Sequence, residues 1–320
     1  MPHDLRVLVL GGTRFVGRAV VTRALAEGCH VTLFNRGQTD PAAFPAAEHR
    51  VGDRLGDLSS LATGEWDAVI DVAAYNPTAV RLAVEILGDR VDRYVLVSSL
   101  SVYADHSTID AQREGARLLT IEGVADDDRY GASKAACERV ALDAYGDRAA
   151  VARAGMLVGP HDPTTRFVYW PRRLGLGGRV LAPGAPDDPV QFLDVRDFAA
   201  WLLRATTEPV PLVCNVTGPV RTMGEVLDAC RDPATDVDLQ WVSTAALLAA
   251  GLDPWMGVPL WIAAKGWEAA NRVDTALADA AGLRHRALAD TVVAALAEPG
   301  DDGASPLSAA REATLLAELC

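Results

Sequence analysis

The sequence predicts an α/β fold, a doubly wound parallel sheet wrapped by helices with a smaller cap appended in the second half. Three observations predict it. Short β-branched runs alternate with helical patterns up to Ala154, a glycine-rich turn separates the first run from the first helical pattern, and beyond Ala154 Gly and Pro clusters take over. In order, the strand candidates are RVLVL (6–10), HVTLF (30–34), a short HRV (49–51), AVIDV (68–72), YVLVSS (94–99) and AAVARA (149–154). Helices are expected from about Phe15 to Glu27, Thr78 to Leu87 and Gly131 to Tyr145, each closing near a glycine or a charged turn. GPHDPTT (159–165) and LAPGAPDDP (181–189) have the makings of loops leaving the sheet. QFLDVRDFAAWLLRAT (191–206) then suggests a strand and a helix returning to it, and PLVCNVTG (211–218) one more strand. From about Pro219 to Ala297 a helix-rich segment is expected, carrying Trp241, Trp255, Trp261 and Trp267. The division that follows is 1–158 with 190–218 for the sheet domain and 159–189 with 219–297 for the cap. EPGDDGASP (298–306) is a linker candidate, and the amphipathic helix after it, within 298–320, docks on the surface or on a partner.

Half of the 320 residues are hydrophobic and 23% are charged, the balance of an ordinary globular chain. A formal charge of −13 repels polyanions on average, and no Lys/Arg run offers a local exception, so no nucleic acid is expected as a partner. Lys134 and Lys265 are the only lysines. The five cysteines form no CxxC pair, which speaks against a zinc site and for reduced, packed thiols. MPHDLRVLVLGG enters an apolar strand directly, without the basic, apolar and cleavage regions of a signal peptide. No apolar run reaches the roughly 18 residues of a membrane span. The expectation is a cytoplasmic protein with no membrane partner.

LGGTRFVG (10–17) sits where the first strand gives way to the first helix, the context in which such a loop holds a pyrophosphate on helix N–H groups. Gly11 permits the turn and Gly17 permits close packing of helix on strand, with Thr13, Phe15 and Val16 completing the loop. Arg14 replaces a middle glycine, and the second strand ends in Asn35 and Arg36 where an NAD-preferring site carries an acid. Planar, permanently charged guanidinium groups suit a 2′-phosphate, so NADP(H) is the expected cofactor, with NAD still admissible. A solvated turn with Gly37 is the competing explanation for Arg36. Asp53 is a candidate partner for the adenine amino group, and Ala73 and Ala74 are small enough to let a backbone approach the adenosine side.

Tyr130 and Lys134, four apart at the start of a helical pattern, share one helix face. A free tyrosine, with a pKa of about 10, is a poor acid or base at neutral pH. An ammonium about 4 Å away at an effective dielectric of about 20 is worth on the order of 4 kcal/mol to the phenolate, or roughly three pK units. Ser99 closes the fifth strand, where its hydroxyl can bond a substrate oxygen while Tyr130 exchanges a proton and a nicotinamide exchanges hydride. Lys134 and Tyr130 are also candidate contacts to the nicotinamide ribose. Ser101, His161 and Arg172 are candidate substrate contacts. A helix-surface pair, an incidental loop histidine and a solvated arginine face are the plainer alternatives.

This ordered set resembles the extended short-chain dehydrogenase/reductase family, also called the NAD-dependent epimerase/dehydratase family, over most of the chain. Within it SSLSVY is similar to the stretch bearing the catalytic hydroxyl, YGASK to the Tyr and Lys motif, RAGMLVGP (153–160) to the segment leading toward the substrate, and FLDVRD (192–197) to the return to the core domain. The GGTRF loop with TLFNRG (32–37) is similar to a branch containing reductases and chloroplast stem-loop RNA-binding relatives. The resemblance implies a Rossmann-type domain with a substrate-binding cap, a Ser99, Tyr130 and Lys134 active site and, from many relatives, a homodimer. Dehydratases of the family carry an acidic pair after the catalytic hydroxyl; Leu100 and Ser101 stand there, which disfavours elimination. The expectation is an NADP-dependent reductase or dehydrogenase of a small carbonyl or alcohol. A sugar-nucleotide epimerase with tightly held NAD(P) and a non-catalytic, RNA-associated relative are the competitors.

Overall fold

Strand alternation decides where the sheet sits. β1 (Arg6–Leu10) sends Val7 and Val9 into one apolar cluster and Leu8 and Leu10 into another, all four fully buried, as in a strand covered on both faces. In the computed structural model, which describes residues 4–298 and 307–320, it is followed by α1 (Phe15–Ala26), β2 (His30–Asn35), β3 (Glu48–Val51) and β4 (Trp66–Asp71). Next come α2 (Pro77–Leu87), β5 (Val91–Ser99), α3 (Arg129–Tyr145), β6 (Ala149–Ala154), β7 (Leu157–Val158), α4 (Tyr169–Gly175), β8 (Gly178–Pro183), β9 (Pro189–Gln191), β10 (Leu193–Asp194), α5 (Val195–Arg204) and β11 (Val213–Val216). β12 (Val220–Thr222), α6 (Met223–Cys230), β13 (Val237–Val242), α7 (Thr244–Ala249), α8 (Ala276–Ala280), α9 (Leu288–Leu296) and α10 (Ala309–Leu319) complete the order.

Seven strands form one parallel sheet in the order β11-β6-β5-β4-β1-β2-β3. Chain direction across the sheet reverses between β1 and β4, so a crevice opens at the carboxyl ends of those strands. α1 and α5 cover one face and α2 and α3 the other. Local chemistry sets the helix ends. The Asn76 side chain accepts from the Thr78 amide at 2.8 Å ahead of Pro77, and α2 and α3 stop at Gly88 and Gly146, both at positive φ.

A second apolar core gathers Phe167, Trp170, Val180, Leu227, Leu247 and Trp261 from the later chain. Here the expected helix-rich cap needs correcting. β13 (VDLQWV) pairs in parallel with β8 (GRVLAP), β12 pairs antiparallel with β9, and no regular element falls between α7 and α8. Period-two alternation in VDLQWV is the signal that the loop and helix assignments overrode. α10 closes this core with Leu315 and Leu316, and its Glu312 bonds both Arg173 at 2.6 Å and the Leu181 amide at 3.0 Å. Of the linker candidate only Glu298 is within the described residues. Among those residues no helix is long and apolar enough to cross a membrane.

Candidate active site

The glycine-rich loop lines a groove of about 1120 Å³ at the crevice between β1 and β4. Gly11 and Gly12 both take positive φ, and a Cβ on Gly17 would sit 2.7 Å from the Gly12 backbone, so helix and loop approach as closely as glycine allows. No side chain caps the N-terminus of α1, which leaves its first N–H groups to an anion. These features fit a dinucleotide pyrophosphate. Thr13, Arg14, Phe15, Val16, Arg36, Asp53 and Ala73 also line the groove. Arg14 and Arg36 are exposed there, their guanidinium groups with no hydrogen bond or ion pair among the described residues, whereas that of nearby Arg18 is paired with Asp40 at 3.1 Å.

Asn35 lines the same groove but spends its side chain on the loop, donating to the Gly11 carbonyl at 3.2 Å and accepting from the Gly37 amide at 2.8 Å. Asp53 accepts from the Leu55 amide at 3.0 Å in a tight turn. Ala74 is fully buried in the core under α2 and does not line the groove.

A second cavity of about 490 Å³ adjoins the first, sharing Phe15, Val16, Val72, Tyr75, Asp162 and Pro163 with it. Ser99, Ser101, Tyr130 and Lys134 all line it. Ser99 stands at the carboxyl end of β5 and accepts from the Ser101 amide at 3.1 Å. Tyr130 lies in the first turn of α3 with Lys134 one turn on. Gly131 makes this possible: a Cβ there would meet the Ser101 carbonyl oxygen at 1.9 Å, so only glycine lets the helix press onto the serine turn.

The electrostatics differ from the simple ammonium and phenol couple. Lys134, 2% exposed, donates to the Val97 carbonyl at 2.8 Å and lies 4.4 Å from the centre of the Tyr75 ring but 6.0 Å from that of Tyr130. Burial raises the Tyr130 phenol, and the opposing pull comes from the Ser99 hydroxyl. Lys134 is not among the groups that act on the Tyr130 phenol, and its ammonium is anchored on the Val97 carbonyl. Burial pushes Lys134 itself down to about 8, against the pull of Asp71. Its ammonium is charged below that pH and neutral above it. If the charge is needed, turnover declines as pH rises through about 8, which a pH–rate profile at saturating cofactor will show; activity flat into the ordinary lysine range, about 10.4, would contradict it.

The remaining substrate candidates fall elsewhere. His161 and Arg172 line the larger groove, where Glu298 holds both: its carboxylate is 2.9 Å from His161 Nδ1 and its carbonyl accepts from Arg172 at 2.8 Å. Arg173 is tied to Glu312. Of the four tryptophans after Pro219, Trp261 is buried in the second core and Trp241 packs against it, while Trp255 and Trp267 face the smaller cavity.

Several residues at the site escaped the sequence reading. Fully buried Asp71 takes a two-pronged bond from Arg54 at 2.6 and 2.7 Å and a third from Tyr94 at 2.7 Å, beneath the groove. Arg166 lines the smaller cavity with its Nε buried and unpaired, and His106 and Gln112 form part of its wall. Asp71 was visible only as a strand end, and the others sit in loops without pattern.

A model described as the NAD dependent epimerase/dehydratase family matches residues 78–216. Among curated proteins, the chain is 30% identical to the cyclic-di-GMP-binding biofilm dispersal mediator protein of Escherichia coli (strain K12), covering 42% of this chain and 63% of that one. It is 31% identical to the chloroplast stem-loop binding protein of 41 kDa b of Arabidopsis thaliana, over 31% of this chain and 30% of that one. The chain thus spans less than two thirds of either relative. Among solved structures, Bordetella bronchiseptica WbmG in complex with NAD and UDP superposes with a TM-score of 0.64 at 18% identity, covering 95% of this chain and 98% of that one. The complex of Thermus thermophilus UDP-glucose 4-epimerase with NAD gives 0.61 at 20%, covering 92% and 100%. These likenesses establish the fold.

Proposed function

From the match of residues 78–216 to the NAD dependent epimerase/dehydratase family, we propose that the protein is an NADP-dependent oxidoreductase of a small carbonyl or alcohol, working through Ser99, Tyr130 and Lys134. One observation carries the reading: these three side chains line a single cavity that opens into the groove under the glycine-rich loop. NADPH held on the glycine-rich loop, with Arg14 and Arg36 at its 2′-phosphate, would supply hydride to the substrate's carbonyl carbon. Tyr130 then gives its phenolic proton to the carbonyl oxygen as that oxygen becomes an alcohol, and takes it back in the reverse direction. The Ser99 hydroxyl donates a hydrogen bond to the same oxygen and keeps it facing Tyr130. Lys134, fixed by the Val97 carbonyl, holds a positive charge beneath the cavity where the phenolate forms. The later core, with Trp255 and Trp267, serves as the substrate-binding cap.

Preference for NADP rests on the two unpaired guanidinium groups of Arg14 and Arg36. Replacing both by Ala weakens NADPH binding by roughly 100-fold, the loss of two charge-assisted contacts of about 1.5 kcal/mol each, and leaves NADH binding nearly unchanged in calorimetric titration. Equal effects on both cofactors would remove the assignment. The second reading, a sugar-nucleotide epimerase holding NAD, is favoured by the NAD complexes among proteins of this fold. Identifying the dinucleotide that survives purification separates the two: tightly held NAD supports the epimerase, an empty site that NADPH fills supports the reductase.

A further inference from the structure

The smaller cavity has a second polar wall, made by the loop after β5. His106, 7% exposed, stacks on Trp267 with ring centres 3.8 Å apart and planes 9° apart. Its Nδ1 lies 2.9 Å from Gln112 Oε1, and its carbonyl accepts from the Ala269 amide at 2.9 Å. Gln112 settles which nitrogen carries the proton. The amide nitrogen of Gln112 donates to the Ala269 carbonyl at 3.0 Å, so the atom facing His106 is an acceptor and Nδ1 must donate. Burial lowers the imidazole's pKa, and the hydrogen bond with Gln112, followed by the charges of Asp105 and Asp128, only partly offsets this. The ring is therefore neutral near pH 7, and Nε2 carries a lone pair. Nε2 has no hydrogen-bond partner among the described residues, and the residue lines the smaller cavity.

We propose that His106 sets the specificity of this pocket, its Nε2 accepting a hydrogen bond from a substrate hydroxyl other than the group that reacts. This rests on the cavity being the substrate pocket proposed above. A ligand presenting only acceptors at that place sets lone pair against lone pair, and sites built to bond a hydroxyl discriminate strongly against analogues lacking it. The imidazole cannot turn to adapt, because Gln112 holds one side and Trp267 covers its face.

The test uses the full chain labelled with ¹⁵N-histidine, with NADP⁺ added and the His106 signals assigned by their loss in His106→Gln. The probes are D-glucose, a hydroxyl-bearing ring, and tetrahydropyran, a ring with only an ether acceptor. Expected are an Nδ1–H neutral tautomer at pH 7, a glucose-dependent shift of the Nε2 resonance, and no such shift with tetrahydropyran. His106→Asn, whose amide falls short of the Nε2 position, weakens glucose binding about tenfold, while His106→Gln, which reaches it, largely retains binding. An Nε2–H or charged imidazole at pH 7, or an Nε2 signal that responds identically or not at all to the two probes, overturns the proposal. These signals come from the unaltered protein, so they hold even if a variant fails to fold. Failure of the oxidoreductase reading shows separately, as absence of saturable NADPH fluorescence in the same preparation.

Discussion

Tyr130→Phe lowers turnover by about 10²–10⁴-fold, the range that positioned proton transfer contributes, with NADPH affinity close to that of the unaltered protein. The substitution removes one oxygen from a residue that is 47% exposed overall, although its phenol end is desolvated beside the cavity, so packing of α3 is left in place. The Tyr75 ring, 6.4 Å away between centres, keeps its neighbour. Ser99→Ala acts on the same substrate oxygen, and the double variant should fall little further than the worse single one, because groups acting as a unit do not add. Steady-state rates following NADPH absorbance, with affinity from fluorescence, measure both. Activity within a few-fold of normal in Tyr130→Phe would remove the phenol from the chemistry.

Arg153→Ala destabilises the fold by about 3–5 kcal/mol, the cost of stranding a buried charge. Arg153 on β6 and Glu138 on α3 are 3% and 2% exposed and bond at 2.7 and 3.0 Å. The Ser98 hydroxyl also donates to Glu138, and Arg153 continues through the Tyr103 hydroxyl, at 3.0 Å, to Asn215 on β11, at 2.6 Å. Removing the guanidinium leaves a carboxylate in the core one turn beyond Lys134 and beside the strand that ends in Ser99. Replacing both partners, Arg153→Met with Glu138→Leu, recovers most of the loss, since a matched apolar pair carries no unpaired charge. Thermal and denaturant unfolding of the single and double variants decide the point: a double variant less stable than Arg153→Ala would contradict the account.

Much of the sheet was legible because both of its faces are buried and its strands are short and apolar. AAVARA and RVLVL are strands at the expected residues, and the helices from Phe15, Thr78 and Gly131 begin within two residues of the structure's own starts. β8 was hidden by the glycines and proline at its ends, and β13 by the helical reading of the stretch around it, which outweighed its alternation. At the site, Ser99, Tyr130 and Lys134 could be brought together from order along the chain, since strand ends and a helix face fix their positions. What sequence does not carry is the length of a side chain's reach across the fold. The Lys134 ammonium goes to Val97 and Tyr75, Arg54 crosses to Asp71, and His106 meets Trp267, each a tertiary contact with no local signature.

β11 joins the sheet beside β6 only after the chain has passed through β7, α4, β8, β9, β10 and α5. Neither core is consequently a cassette. A cut after Ala154 would strip the sheet of its outer strand and of α5, baring Phe198, Trp201 and Leu202 together with the face they cover. Grafting this pocket onto another scaffold, or recombining it with a relative, has to carry the chain through Val216 as one inseparable length.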